Sequence, residues 1–319
     1  MGPRGGGARN CHMPFPPAER PQKRPCIDRC GPAADEEAVS RRAPCPAGRL
    51  RKAESGPGWR ELFLSERCDA GATPSAAAAV AAGHSLLQFD VLASASECGA
   101  LLSEAAALAA AVRAEHFSED RLGEEEGGGD SDWWCGLPPA HCLMLSNAAR
   151  IRMPVDEMLG DAGRKTCDAV LMRAMRALEA AQPALSHGLF PDSFSGTGRR
   201  ARTCLGNKRL VFAAGEPAIN VYTPGGCFVP HEDGQSLSVL VNLSHPDDFD
   251  GGGTAFWALK QAGRDSEGQV VDATPAVTLR LPAGTALVFG GKVTHSGQMV
   301  TRGQRTVLVA SFSEDTRQR

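Results

Sequence analysis

The apolar residues of this chain repeat with two different periods. In residues 166–181 they return every three or four positions, the period of an amphipathic helix. The run at 101–112 is almost entirely Ala and Leu, and the run at 166–181 stops just before Pro183. The pattern predicts two helices, the first with Ser96 as its N-cap and the second ended by the proline.

Beyond Leu210 the period changes to two, which is typical of β-strands with one buried face. Gly, Pro and Asp turns divide this region into short segments, and residues 86–92 form one earlier strand. The predicted strands are 210–213, 218–223, 236–243, 254–259, 276–281, 285–289, 293–298 and 305–312. About eight short strands are what a double-sheet jelly roll of the cupin type requires. We predict a mainly β fold with flanking helices (α+β), a double-stranded β-helix core braced by helices.

The beginning of the chain differs in composition. Residues 1–60 hold twelve Lys and Arg against six acidic residues, a local charge of +6 in a chain of net charge −3, which leaves −9 for the rest. With abundant Pro and Gly, this segment cannot offset its own ordering entropy. We expect a disordered basic tail at 1–83, followed by one domain at 84–319 with helical support at 84–208 and the jelly-roll core at 209–314. The tail is a solvated segment, an organelle leader or a basic arm for an acidic partner.

Three further features bear on location. The sequence has no run of about eighteen apolar residues, so it predicts no membrane span. Its first ten residues lack the apolar stretch of a secretory signal. Eleven cysteines, an odd number without regular spacing, argue against a disulfide scaffold. We expect free thiols in a reducing intracellular compartment, with the cytoplasm as the first candidate.

The candidate chemistry lies in residues 222–233, Tyr-Thr-Pro-Gly-Gly-Cys-Phe-Val-Pro-His-Glu-Asp. In an extended strand His231 and Asp233 point to one face, and Glu232 points to the other. If the strand of His295 lies alongside, two imidazoles and one carboxylate meet on one side of an ion and leave the other side open. Two His and one carboxylate with vacant positions are the ligand set of the non-haem Fe(II) oxygenases.

The His-x-Asp pair alone is a weak signal. Because Pro230 precedes it and Gly234 follows it, a surface loop is an alternative. His245 stands beside several aspartates, but their spacing does not alternate as calcium ligands do. We interpret that segment as an acidic, solvated turn.

Together with residues 293–305, the order and spacing of these residues resemble the prolyl 4-hydroxylase-like branch of the iron(II)- and 2-oxoglutarate-dependent dioxygenases. The resemblance covers residues 86–312. It implies that His231, Asp233 and His295 are the metal ligands and catalytic residues. It also implies that Arg305, ten residues after His295, grips the far carboxylate of 2-oxoglutarate with a forked pair of hydrogen bonds.

Further cosubstrate contacts follow from the same resemblance. Collagen-type prolyl hydroxylases carry Lys where this chain has Arg305. Arg302 is the competing cation, and we expect it in a turn. Tyr222, the only tyrosine of the chain, is expected to hydrogen-bond the same carboxylate. Thr254, after Asp-Gly-Gly-Gly, either places its hydroxyl near the cosubstrate or is an ordinary strand threonine.

The resemblance implies hydroxylation of an amino-acid side chain, with peptidyl proline as the first candidate. Fe(II) is the cofactor, O2 and 2-oxoglutarate are consumed, succinate and CO2 are released, and ascorbate supports turnover. Asp233 favours hydroxylation, because related halogenases have a small residue there. The alternatives are a nucleic-acid demethylase on the same iron core and a catalytically silent jelly-roll binding module.

The charge of −9 outside residues 1–60 disfavours nucleic acid as a partner. We expect substrate identity to be set by loops at 123–134, 188–207 and 260–272.

Overall fold

The structure is a computed structural model that describes residues 55–64, 75–116, 149–194, 201–257 and 274–315. All of them belong to one compact unit. The described helices are α1 (Ala76–Ala81), α2 (Ala95–His116), α3 (Val155–Met158), α4 (Asp161–Ala181) and α5 (Pro183–Leu189). The described strands are β1 (Ser55–Gly56), β2 (Trp59–Phe63), β3 (Ser85–Phe89), β4 (Arg150–Pro154), β5 (Leu210–Phe212), β6 (Ala218–Tyr222), β7 (Phe228–His231), β8 (Leu237–Asn242), β9 (Phe249–Gly251), β10 (Thr254–Phe256), β11 (Val277–Leu279), β12 (Ala286–Gly290), β13 (His295–Gly297), β14 (Val300–Gly303) and β15 (Arg305–Glu314).

The strands form two main antiparallel sheets. The large sheet runs in the order β1-β2-β3-β12-β8-β15-β6-β4, with β5 also pairing with β15, and the small sheet runs β11-β10-β13-β7. From β6 onward the chain passes back and forth between them, because β6, β8, β12 and β15 belong to the large sheet and β7, β10, β11 and β13 to the small one. This strand order is that of a double-sheet jelly roll. The predicted mainly β fold with flanking helices is confirmed.

The two-residue period of the strands separates two hydrophobic clusters. Ile219 on β6 and Leu308 on β15 belong to an outer cluster that also contains apolar side chains of α2 and α4. Tyr222 on β6 and Val307 on β15 belong to an inner cluster that also contains Phe256 of the small sheet. The helices therefore cover the outer face of the large sheet, and the small sheet covers its inner face.

The helix ends account for one difference from the predicted bounds. The Ser94 N–H donates to Glu97 Oε2 at 2.9 Å, and the Glu97 N–H donates to Ser94 Oγ at 3.3 Å. This reciprocal capping box starts α2 at Ala95. Ser94 is therefore the N-cap, and the prediction of Ser96 is wrong. The second helix ends at Ala181 as predicted, and Pro183 opens α5.

The predicted domain boundary needs correction. β2 pairs with β3 along five residues, from Trp59 opposite Phe89 to Phe63 opposite Ser85. Residues 55–64, and α1 after them, were predicted to lie in a disordered tail ending at 83, and that prediction is wrong for them. The stabilising partner of β2 is a later strand, which the local composition does not reveal. Residues 1–54 and 65–74, and the loops 123–134 and 260–272, lie outside the described residues.

One helix in the described part of the chain is long and apolar enough to cross a membrane. The segment Ala95–Ala114 of α2 has a mean hydropathy of 1.3 and is 28% buried. Its buried side chains, among them Leu101, belong to the outer cluster. Arg173 of α4 also donates to Glu97 of α2 at 2.7 Å. We interpret α2 as a helix of the domain that packs on α4.

The corrected boundary predicts that β2 stabilises the domain. Replacing Leu62, which is 5% exposed, by Ala should lower the free energy of unfolding by about 2–5 kcal/mol. Arg60→Ala on the same strand is the control, because that side chain is 54% exposed and its partner Asp90 is 3.7 Å away; it should cost less than about 1 kcal/mol. Urea denaturation measures both. Equal losses in the two variants would contradict the packing of β2.

Candidate metal centre

The small sheet brings the two candidate histidine ligands together. β13 pairs with β7 in antiparallel register with His295 opposite His231. Side chains of directly opposed residues project from the same face of the sheet. Accordingly the two imidazole centroids are 4.3 Å apart.

Asp233 joins them from the loop that follows β7. β7 ends at His231, so the expected extended strand through Asp233 is wrong, and Gly234 turns the chain at a positive φ of 72°. The carboxylate nevertheless faces both rings: Oδ1 lies 3.3 Å from His231 Nε2, and Oδ2 lies 3.7 Å from His295 Nε2. One ligand atom from each of the three residues lies within 4.8 Å of the other two.

Backbone carbonyls orient both imidazoles. Nδ1 of His231 lies 2.9 Å from the Val229 carbonyl oxygen, and Nδ1 of His295 lies 3.0 Å from that of Val293. A neutral imidazole that donates from Nδ1 carries its lone pair on Nε2. Both Nε2 atoms face Asp233, so the carbonyls fix the tautomer that a metal ligand needs.

The electrostatics of the site favour the ligand form of these groups. Burial opposes the ionisation of Asp233, but its close contacts with His231 and His295 and the hydrogen bond from Ser238 outweigh it and hold the pKa of this carboxyl well below its usual range. Burial lowers the pKa of His295 to about 4, against the opposing attraction of Asp233. At neutral pH the site therefore presents one carboxylate and a neutral His295, the protonation states that metal binding requires.

Ser238 on β8 supports the carboxylate. Its hydroxyl donates to Asp233 Oδ2. The side chain is buried in the large sheet and lines the cavity that also contains Asp233. This residue was missed in the sequence, where it is one of two serines in the predicted strand 236–243. Partners of this kind orient a metal ligand without touching the metal.

The cation expected to bind 2-oxoglutarate lies on the large sheet. Arg305 is 2% exposed, and its Nη2 donates to the Thr254 hydroxyl at 2.7 Å. Burial lowers the pKa of Arg305, and within the described residues no carboxylate forms an ion pair with it. A buried guanidinium without a counter-ion is unfavourable unless a ligand supplies the anion.

Tyr222 and Thr254 lie beside this guanidinium. Tyr222 is the cross-strand partner of Arg305, and the guanidinium lies 5.5 Å from the centre of its ring. Burial raises the pKa of the Tyr222 hydroxyl, which keeps it a donor. Gly252 has a positive φ, and a Cβ there would lie 2.8 Å from the Phe249 ring and 3.3 Å from Arg305 Cδ. The glycine turn thus allows close packing against Arg305.

The competing residues lie elsewhere. Arg302 is in β14 rather than in the expected turn, 76% exposed and paired with Asp250 at 2.5 Å. The His245 side chain accepts a hydrogen bond from the Asp247 N–H in an exposed 3-10 turn. Glu232 accepts from the Thr294 hydroxyl at 3.3 Å and is not part of the ligand group.

One cavity between the sheets joins the two halves of the site. Its wall contains the three candidate ligands together with Tyr222, Thr254 and Arg305. Oxygen and nitrogen donors of this type fit Fe(II), and the buried cation fits a dicarboxylate cosubstrate. The residues present therefore fit both the metal and the cosubstrate that the resemblance implies.

No family model and no curated protein matches the chain. Among solved structures it is similar to an oxidoreductase of the 2OG-Fe(II) oxygenase family from Burkholderia pseudomallei, at 20% identity and a TM-score of 0.25 over 34% of this chain. It spans less than half, 46%, of that protein. The viral collagen prolyl hydroxylase of Paramecium Bursaria Chlorella virus-1, in complex with 2OG, matches at 12% identity and a TM-score of 0.39 over 74% of this chain and 98% of its own.

A prolyl-4-hydroxylase from Pseudomonas putida matches at 18% identity and a TM-score of 0.33, over 75% of this chain and 98% of its own. Identities of 20% or lower do not carry an activity over to this chain. The fold assignment rests on the strand order, and the functional assignment rests on the residues of the cavity.

The ligand set predicts a specific loss of metal binding. His295→Ala removes one of three ligands and should abolish stoichiometric Mn(II) or Fe(II) binding. His245→Ala, in the exposed turn, should bind one ion per chain as the unmodified protein does. Metal content after gel filtration measures both. A His295→Ala protein that retains the ion would contradict the assignment.

The support of Asp233 predicts a graded effect. Ser238→Ala leaves all three ligands in place but frees the carboxylate to rotate, so Mn(II) affinity should fall by about 10–100-fold. Ser238→Thr keeps a hydroxyl and should retain most of the Mn(II) affinity. Ser236→Ala is the matched control, since that hydroxyl donates to Ser313. Mn(II) titration followed by electron paramagnetic resonance gives the affinities, and equal affinities for the two alanine variants would refute the role of Ser238.

Proposed function

We propose that this protein is an Fe(II)- and 2-oxoglutarate-dependent dioxygenase that hydroxylates an amino-acid side chain, with peptidyl proline as the first candidate. The observation that carries the proposal is the shared cavity. It combines a group of two His and one Asp with a buried arginine that has no carboxylate partner among the described residues. Either half alone would suit proteins of several different activities, whereas the two halves in one cavity are what this chemistry requires.

The residues have separate tasks in this scheme. His231, Asp233 and His295 would hold the ion from one side only. Arg305 and the Tyr222 hydroxyl would bind the far carboxylate of 2-oxoglutarate, with Thr254 fixing the guanidinium. Iron held there would supply the activation of O2, by which one oxygen atom would enter succinate as CO2 leaves 2-oxoglutarate and the other would become the hydroxyl of the product. The apolar wall, including Val307 and Phe289, excludes water from the reacting groups.

The alternatives are less well supported. A silent binding module has no need of a buried cation beside a ligand group with an open side. A nucleic-acid demethylase needs cations for phosphates; Arg152 at the cavity wall is already paired with Glu216 at 2.5 Å. Ascorbate enters the proposal as the reductant that keeps iron ferrous.

We also propose a reducing intracellular location. It is supported by three buried cysteines of the described residues, Cys98, Cys167 and Cys204, none of which forms a disulfide. Burial raises the pKa of Cys167 and of Cys204 to about 12, so both remain thiols.

The direct test is consumption of 2-oxoglutarate with Fe(II) and ascorbate, alone and with proline-rich peptides and free amino acids. We expect succinate in an amount equal to the hydroxylated product when a substrate is present. Absence of succinate from a protein that has bound both iron and 2-oxoglutarate would refute the proposal.

Arg305 gives a sharper prediction. Arg305→Leu should raise the Kd for 2-oxoglutarate by about 10–100-fold, because charge-assisted hydrogen bonds to the far carboxylate are lost. The Kd of Arg305→Lys should lie between those of the unmodified protein and of Arg305→Leu, because an ammonium cannot donate two parallel hydrogen bonds to a carboxylate. Arg302→Leu, three residues away but exposed, should leave the Kd unchanged. Calorimetric titration of the Mn(II) protein measures each, and a Kd that responds to Arg302 rather than Arg305 would contradict the assignment.

A further inference from the structure

The cavity has a second polar group of residues that the scheme above does not use. Arg152 on β4, Glu216 before β6, Asn220 on β6 and Ser311 on β15 line its wall. None of these four is a candidate metal ligand or contacts Arg305 through a hydrogen bond in the structure. Their hydrogen bonds show which of them are available to the substrate that is hydroxylated.

Arg152 and Glu216 form an ion pair without net charge. Arg152 Nη2 lies 2.5 Å from Glu216 Oε1, with only 14% and 8% of the two side chains exposed. Glu216 Oε2 also accepts from the backbone N–H of Ser311 and from its hydroxyl at 2.7 Å. This end of the cavity thus differs from the Arg305 end, where the cation lacks an anion among the described residues.

Asn220 stands beside this pair with unused hydrogen-bonding groups. It is the cross-strand partner of Arg152 and lies two residues from Tyr222, on the same face of β6. The side chain is 4% exposed, and its Oδ1 is buried with no hydrogen-bond partner in the described part of the chain. Leaving a buried polar group unpaired costs about 1–3 kcal/mol, so such groups normally have a partner.

We propose that Asn220, together with Arg152, recognises an amide group of the substrate. A carboxamide offers one acceptor and one donor group on adjacent atoms, and Arg152 has N–H groups that Glu216 does not use. These complement the C=O and the N–H of an amide. Because the Arg152–Glu216 pair is neutral, this end has no excess charge to favour a free ammonium or a free carboxylate.

The inference deepens the proposed function and rests on it. It assigns the substrate class as a blocked, amide-bearing amino acid, as in a peptide, rather than a free amino acid. A nucleobase edge also carries a donor and an acceptor. A nucleotide substrate is disfavoured because Arg152, the cation of this group, is already paired with Glu216, so no uncompensated positive charge remains there to attract a phosphate.

The test compares probes that differ in their amides. N-acetyl-proline N-methylamide and N-acetyl-lysine N-methylamide are each set against the free amino acid, with adenosine monophosphate as a third class. Acceleration of 2-oxoglutarate consumption by the Fe(II) protein gives kcat/KM. We expect at least one blocked amide to exceed its free amino acid at least about tenfold.

Variants then connect that preference to Asn220. Asn220→Leu should lower kcat/KM for the blocked amide by about 10–100-fold and bring the ratio of amide to free amino acid toward one. Asn220→Asp, which keeps the shape of the side chain, should also lower kcat/KM for the blocked amide. The test therefore does not depend on the folding of a single variant. Asn242→Leu is the control: this buried asparagine of β8 lies outside the cavity lining, and the ratio should not change.

The outcomes separate the two proposals. No consumption of 2-oxoglutarate by the unmodified protein, with or without a probe, refutes the dioxygenase. Consumption that no blocked amide accelerates, a preference for free amino acids or for the nucleotide, or an unchanged ratio in both Asn220 variants overturns the amide site alone.

Discussion

The whole site depends on the antiparallel pairing of β7 with β13. This pairing sets His231 opposite His295, and it places their imidazoles on one face with centroids 4.3 Å apart. Since side chains alternate along a strand, a slip of one residue would send one ring to the opposite face. The register shifts between His295 and Gly297, and irregularities of this kind re-aim side chains next to active sites.

The large sheet supplies the other half of the constraint. Arg305 and Tyr222 are partners across β15 and β6, so the cation occupies a fixed level of the inner face. Its hydrogen bond to Thr254, at 2.7 Å, joins the large sheet to the small sheet beside the cavity. The ligand group and the cation are thus fixed on different sheets, and the packing of the jelly roll determines the distance between them.

Most strands of the two sheets could be predicted from the sequence, because alternation of apolar and polar residues is visible within each short segment. All eight core strands that alternation predicted are present: three are shorter by one or two residues and three by three residues, β12 is shifted by one residue, and β15 is two residues longer. β7 is absent from the strands that alternation predicted, because Phe-Val-Pro-His contains a proline and no regular alternation; only an extended conformation from His231 to Asp233 was expected. β2 was not predicted either, since Trp-Arg-Glu-Leu-Phe is stabilised by pairing with β3 across a gap in sequence of more than twenty residues.

Contacts between distant residues limited the prediction of the site in the same way. The ligands and Arg305 were found because their spacing is part of a known pattern. Ser238 and Asn220 belong to no such pattern. Ser238 is distinguished only by its hydrogen bond to Asp233, and Asn220 only by a buried Oδ1 that has no hydrogen-bond partner among the described residues. Both properties arise when β8 and β6 face the small sheet, and neither residue type nor spacing reveals them.

The central claim is that one cavity holds a metal ion and a dicarboxylate side by side. A crystal structure of the protein soaked with Mn(II) and 2-oxoglutarate under anaerobic conditions tests it most directly. The account predicts an anomalous peak within bonding distance of His231 Nε2, His295 Nε2 and a carboxylate oxygen of Asp233. It also predicts that the far carboxylate of 2-oxoglutarate contacts Arg305. An ion held by other residues, or 2-oxoglutarate bound away from Arg305, would contradict it.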